Sequence, residues 1–176
     1  MTMNSLQKCL NEIQHAINEP GDAWRVAGLG TVDARGIPQA RQVVLREVCP
    51  NEGHILVYTD RRSQKVTELQ QQPACTVLLW CPTRQQQLRL SCHARLMDDI
   101  SNHWSKIAGK TAVADYDTVT APGEVLLAAL QHDANSARDN FAVLVLQVKE
   151  IDRLWLSKQG HRRQRLSADG DKEITP

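Results

Sequence analysis

The stretch VYTDRRSQKVTELQQQP, residues 57–73, concentrates hydrogen-bond donors where a strand hands over to a helix. Tyr58 and Thr59 end the strand, and Ser63, Gln64 and Lys65 open the helix. A helix start offers unpaired backbone N–H groups and the positive end of the helix dipole. A hydroxyl and an ammonium added there converge on one point, which is how a phosphate is held. The competing reading makes Asp60 or Ser63 an ordinary N-cap and the cations a solvated face. On this stretch alone both stay open.

A second group lies upstream in RQVVLRE, where Arg41 and Arg46 bracket an apolar run. Strand alternation puts Val43 and Leu45 on one face and Gln42, Val44 and Arg46 on the other. An apolar strip flanked by guanidinium groups suits a planar, partly apolar ligand with an anionic tail. In QQQLRLSCHARLM, Gln87 and Arg89 alternate outward, and the Gln87 amide can both donate to and accept from a heterocycle edge. Taken singly, each reads first as a surface residue of a half-exposed sheet and only second as a ligand contact. Gly28 and Gly30 lack the third glycine of a dinucleotide loop, and a strand follows them rather than a helix.

The elements that must position these groups follow from periodicity. Leu6, Cys9, Leu10, Ile13 and Ile17 have helical spacing, so a helix is expected over about residues 5–18, capped by Ser5 and stopped at Pro20-Gly21. Two apolar runs around Asp33-Ala34-Arg35-Gly36 read as a hairpin. HILVYTD is a third strand, a helix runs from about Ser63 to Gln72, and ACTVLLWC is a nearly continuous apolar strand. Leu88, Leu90, Cys92 and Ala94 form the inward face of the next strand. Asp98 or Asp99 caps a short helix through Trp104, and Pro122-Gly123 precedes another helix, EVLLAALQH. FAVLVLQVKEIDRLWLS and HRRQRLSA return to strand, and residues 167–176 are expected to be a loose tail. The resulting fold class is mainly β with peripheral helices, a small antiparallel, Greek-key-like barrel, with residues 1–176 as one domain.

Composition narrows the partners. A net charge of +1 over 176 residues gives no global basic field for nucleic acid or an anionic membrane. A single-stranded nucleic-acid platform built on Arg41, Arg46 and Arg89 would need stacking aromatics, and these are only 4% of the chain, with a single Phe. No run is long enough to span a bilayer, and the N-terminus is amphipathic rather than a signal peptide. The five cysteines have no Cys-x-x-Cys pair, so reduced buried thiols in a cytoplasmic protein, without metal, are expected.

ARQVVLRE, VYTDRRSQK, QQQLRL and WLSKQGHRRQR, in this order between about Trp24 and Arg165, resemble the landmarks of the pyridoxamine 5′-phosphate oxidase-like flavoproteins, the FMN-binding split barrels. The resemblance implies FMN as cofactor. It implies that Arg41 through Arg46 (with Gln42, Val43, Val44 and Leu45 between them) hold it. It assigns Tyr58 and Thr59 to the strand-end pair, and Ser63, Gln64 and Lys65 to the phosphate motif, with Gln64 standing where the family has Arg and Arg41 or Arg62 compensating. Gln87 matches the glutamine that approaches the flavin ring, with Arg89 beside it. Trp155 and Arg165 match a late Trp and Arg that, in the family, reach the cofactor from the partner subunit, so a homodimer with FMN at the interface is implied. In true pyridoxamine-phosphate oxidases an Arg and a His after that Trp touch substrate. Here those places hold His161 and Arg163, so the residue types are exchanged, and Arg162 lies between them. The tyrosine, arginine and serine for substrate phosphate have no equivalents in HWSKIAGKTAVADYDTV. The chain is therefore more similar to the oxidase-related bacterial subgroup. The implied function is a flavin-dependent oxidoreductase on a small anionic substrate, with His161, Arg162 and Arg163 on the substrate side and His93 and His103 structural or surface residues. A non-catalytic flavin-binding module and a genuine vitamin B6 phosphate oxidase are the alternatives.

Overall fold

A computed structural model describes residues 4–176 of the chain. Helix α1 (Ser5–Asn18) buries Leu6, Cys9, Leu10, Ile13 and Ile17, the stripe that the spacing predicts. Its cap is Asn4 rather than Ser5: the Asn4 side chain accepts from the Gln7 N–H while the Gln7 side chain accepts from the Asn4 N–H. This reciprocal box satisfies two donors at once, which a lone Ser5 hydroxyl does not.

The strands are β1 (Val26–Val32), β2 (Pro38–Cys49), β3 (His54–Asp60), β4 (Ala74–Cys81), β5 (Gln86–Leu96), β6 (Phe141–Trp155), β7 (Arg162–Ser167) and β8 (Gly170–Ile174). They form one antiparallel sheet in the order β3-β2-β1-β4-β5-β6-β7-β8, and a further pairing of β3 with β6 closes the first six into a barrel. The expected mainly-β barrel with peripheral helices is present. Closure removes the edges that β3 and β6 would otherwise expose. Inside, Leu29, Leu45, Ile55, Val77, Leu79, Leu88, Leu90 and Leu146 pack with one face of α1. A second apolar cluster lies outside the wall, where Phe141, Val143 and Val145 meet Leu56, Ile107 and Tyr116. Covered on both faces, the first half of β6 reads as an unbroken apolar run.

Three helices complete the chain: α2 (Gln64–Gln71), α3 (Ser101–Ile107) and the single turn α4 (Ala137–Asn140). The Asp99 carboxylate accepts from the Ser101 N–H at 2.9 Å, close to the expected start of α3. The helix expected over EVLLAALQH does not form. Residues 118–132 close instead as a loop, through a Thr118–His132 bridge and a 2.9 Å bond from the Val119 N–H to the Gln131 carbonyl. Val125 is 80% exposed and Leu127 93%, so no apolar surface lies beneath them. A nine-residue helix without tertiary packing is not stable. Within the C-terminal tail, expected to be loose, the structure forms a strand. Arg163 through Ser167 pair with Gly170 through Ile174, turning at Gly170 with φ +124°, so backbone pairing across the hairpin holds a segment that has few apolar side chains.

Candidate functional site

The strand–helix junction builds a pocket of hydroxyls around one ammonium. Ser63 is the N-cap residue of α2, but its side chain makes no cap bond. Its Oγ instead donates to the Asp60 carbonyl at 2.7 Å and lies 3.3 Å from Thr59 Oγ1. Both hydroxyls are buried. Lys65 Nζ donates to Thr59 Oγ1 at 2.9 Å and to Ser63 Oγ at 3.0 Å. Burial, and then the neighbouring Arg41 charge, lower the Lys65 pKa. No carboxylate lies within ion-pairing distance of it among the described residues. A partly buried cation held only by neutral oxygens is a site that an anion completes.

The other cations nearby are already engaged. Arg62 donates to Asp60 through its backbone N–H at 2.8 Å and through its guanidinium at 2.7 and 3.1 Å. Arg41 pairs with buried Glu68 at 2.8 Å and also donates to Thr31, whose hydroxyl bonds the same carboxylate at 2.5 Å. Both guanidinium groups are therefore already paired with carboxylates in the free protein. Gln64 itself is exposed and faces a hollow beside Arg35 and Gln71. Arg41 shares the inward face of β2 with Val43 and Leu45, and this is what turns it toward Glu68.

A cleft of about 330 Å³ extends from Thr59 and Lys65 along the outward face of β2. Gln42, Val44, Arg46 and Tyr58 line it, with Val26, Tyr116 and Pro122 on the far walls. The Arg46 guanidinium lies 5.6 Å from the Tyr58 ring centre. Tyr58 Oη is 3.1 Å from His103 Nδ1. Burial raises the Tyr58 pKa and lowers that of His103, and the hydrogen bond brings His103 against the cleft's tyrosine. A larger hollow of about 730 Å³ lies over β1, β2, β4 and β5, with Lys149 as its lysine. It is the less suitable site for a phosphate, because its lining comes from strands alone and no helix start faces it.

Gln87, Arg89, Trp155, Arg163 and Arg165 do not line the cleft within one chain. They form a second cluster on β5, β6 and β7. Register places Asp152 opposite both Arg89 and Arg165. Buried Asp152 accepts from Arg89 at 2.6 Å and from Arg163 at 2.9 and 2.8 Å. The Arg163 hydrogen bonds lead in holding its carboxyl below the usual range, with the charges of Arg163, Arg89 and Arg165 adding to them. Arg165 pairs with Glu150 at 3.3 Å. The Trp155 ring carries Arg153 at 4.6 Å and Arg162 at 5.1 Å, and Arg162 also pairs with Glu173. His161 is exposed, and its Nδ1 accepts from the Ser157 N–H at 3.2 Å. Sequence reasoning missed Asp152, Glu68, Tyr116 and Pro122. Only the alternation of Asp152 opposite Arg89 left a trace in the sequence, and reading it required the strand register.

Residues 6–98 match the family described as pyridoxamine 5′-phosphate oxidase, FMN-binding domain. A pyridoxine/pyridoxamine 5′-phosphate oxidase of Chromohalobacter salexigens is 36% identical over 62 residues, covering 35% of this chain and only 28% of that relative. Among solved structures, a pyridoxamine 5′-phosphate oxidase-related, FMN-binding protein from Nostoc punctiforme superposes with a TM-score of 0.76 at 20% identity over all of both chains. PhzG from Burkholderia lata, in complex with tetrahydrophenazine-1-carboxylic acid, superposes with 0.76 at 16% identity, over 99% of this chain and 94% of that one. A heme-binding protein from Mycobacterium smegmatis does so with 0.58 at 14% identity, over 96% of this chain and 60% of that one. These likenesses establish a shared split-barrel fold that hosts different ligands.

Proposed function

The chain belongs to the pyridoxamine 5′-phosphate oxidase family through its FMN-binding domain, and from that premise we propose a flavin-dependent oxidoreductase whose cleft between β2 and α2 holds FMN. Thr59, Ser63 and Lys65 take the phosphate, while Gln42, Val44, Arg46 and Tyr58 face the rest of the cofactor. The observation that carries this reading is Lys65: a partly buried ammonium whose bonds go to two hydroxyls. Bound FMN supplies the electron transfer. The protein binds it, orients it and excludes water, and Arg46 sets the charge beside it.

A cleft of about 330 Å³ is at the lower end of the roughly 300–1,000 Å³ usual for small-molecule sites. This supports a homodimer in which Gln87, Arg89, Trp155 and Arg165 of a second copy finish the site. Exposed Val26, Leu78 and Trp80 on β1 and β4 supply apolar surface for such an interface. The substrate is small and anionic, met by His161, Arg162 and Arg163. No helix among the described residues is long and apolar enough to cross a membrane. A cytoplasmic setting fits five cysteines that are all free thiols.

The test is an FMN titration of apoprotein, followed by its flavin spectrum and by sedimentation with and without FMN. One FMN bound per subunit of a dimer is expected, and colourless protein that ignores FMN refutes the reading. A flavin-binding module without turnover is the second reading. It is favoured by Asp152, which already neutralises Arg89 and Arg163. Rapid reduction of bound flavin by NADH or NADPH in stopped flow rejects the module.

A further inference from the structure

Away from the cleft, the hairpin joining β2 to β3 brings a thiol, an imidazole and a carboxylate together. Donor atoms of Cys49, Glu52 and His54 all lie within 4.8 Å of one another. Cys49 and His54 are directly opposed in the strand register, so their side chains leave the same face of the hairpin. The turn carrying Glu52 is held on both sides. The Gly53 N–H donates to the Cys49 carbonyl at 2.8 Å, with Gly53 at φ +70°. The Gln147 amide donates to the Glu52 and Gly53 carbonyls at 2.9 and 3.1 Å, tying the turn to β6. A fourth donor is near: Glu47 Oε1 is 3.9 Å from Cys49 Sγ, while its other oxygen pairs with Lys106 at 3.0 Å.

We propose that this hairpin binds a zinc ion through the Cys49 thiolate, the His54 imidazole and the Glu52 carboxylate, with Glu47 or a water in the fourth position. Thiolate with imidazole and carboxylate suits zinc, whereas magnesium and calcium take oxygen alone. Around tetrahedral zinc, with bonds of about 2.0–2.3 Å, ligand atoms lie roughly 3.5 Å apart. The cluster therefore closes by about 1 Å, through rotation of the exposed Glu52 side chain and of the only partly buried Cys49 and His54 side chains. The Glu47 and Glu52 carboxylates beside Cys49 make the surrounding negative, which favours a dication, and binding displaces the thiol proton to solvent. None of these residues lines the FMN cleft, so the site stands or falls independently of the cofactor.

The experiment titrates Co²⁺ into the full chain after chelator treatment and follows absorbance. Wild type is expected to saturate at one equivalent, with a near-ultraviolet thiolate-to-cobalt charge-transfer band and strong four-coordinate visible bands, all reversed by Zn²⁺. Cys49→Ser should abolish the charge-transfer band. His54→Ala and Glu52→Gln should each weaken binding at least about tenfold, as even supporting groups around a metal do, with flavin content unchanged. His54→Ala and Glu52→Gln decide the matter if Cys49→Ser does not fold. A wild-type signal that is absent or fails to saturate overturns the proposal, and so does a charge-transfer band that survives Cys49→Ser.

Discussion

Removing the two donors of the proposed phosphate pocket together, in Ser63→Ala/Lys65→Ala, perturbs the cleft where its chemistry is most specific. Lys65 Nζ donates to Ser63 Oγ at 3.0 Å where β3 hands over to α2. Each bond to a charged phosphate contributes about 1.5–3 kcal/mol. The two groups already bond one another in the free protein, so their joint net contribution is taken as about 3–4 kcal/mol. At about 1.4 kcal/mol per decade, FMN affinity should fall roughly 100- to 1,000-fold. Fluorescence-quenching titration of apoprotein measures this, with riboflavin as the control. Riboflavin lacks the phosphate, so its affinity should change little, and the preference for FMN over riboflavin should collapse. An unchanged preference in a variant that still melts cooperatively would refute the assignment of Ser63 and Lys65. Lys65→Met, which keeps the apolar stem, serves if the double variant is unstable.

Arg41→Ala should act on stability rather than on FMN alone. It leaves the Glu68 carboxylate, 4% exposed, without its cation, at a cost of about 3 kcal/mol in urea unfolding of apoprotein. Arg41→Ala/Glu68→Leu should recover most of this, and an unperturbed unfolding curve for the single variant would contradict the structural role. Asp152→Asn gives a pH signature. Because the folded-state pKa of Asp152 lies below its ordinary value, its stabilisation is complete above about pH 4 and fades as pH falls through the folded value. The stability gap between wild type and Asp152→Asn should thus be constant near neutrality and narrow below about pH 4; a gap that widens on acidification would show the sign to be wrong. Asn4→Ala should cost about 1 kcal/mol, seen as a lower melting temperature with FMN affinity unchanged.

What the sequence determined by itself was local. The 3.6-residue stripe of α1, the alternation along β5 and the hand-over from Thr59 to Ser63 each follow from neighbours in the chain, and the structure reproduces them. Which charges remain available was decided by tertiary structure. Arg41, Arg62 and Lys65 read alike in sequence, yet Glu68 takes the first, Asp60 the second, and only Lys65 is left facing hydroxyls. Strand register likewise sets Asp152 between Arg89 and Arg165, and Cys49 against His54. The segment EVLLAALQH has helical apolar spacing, but a helix needs a surface to pack on, and the fold provides none there. Residues 170–174 carry little apolar signal and become a strand because β7 offers an open edge. Periodicity and capping act over a few residues, whereas charge pairing, edge pairing and packing depend on groups that the chain brings together from far apart.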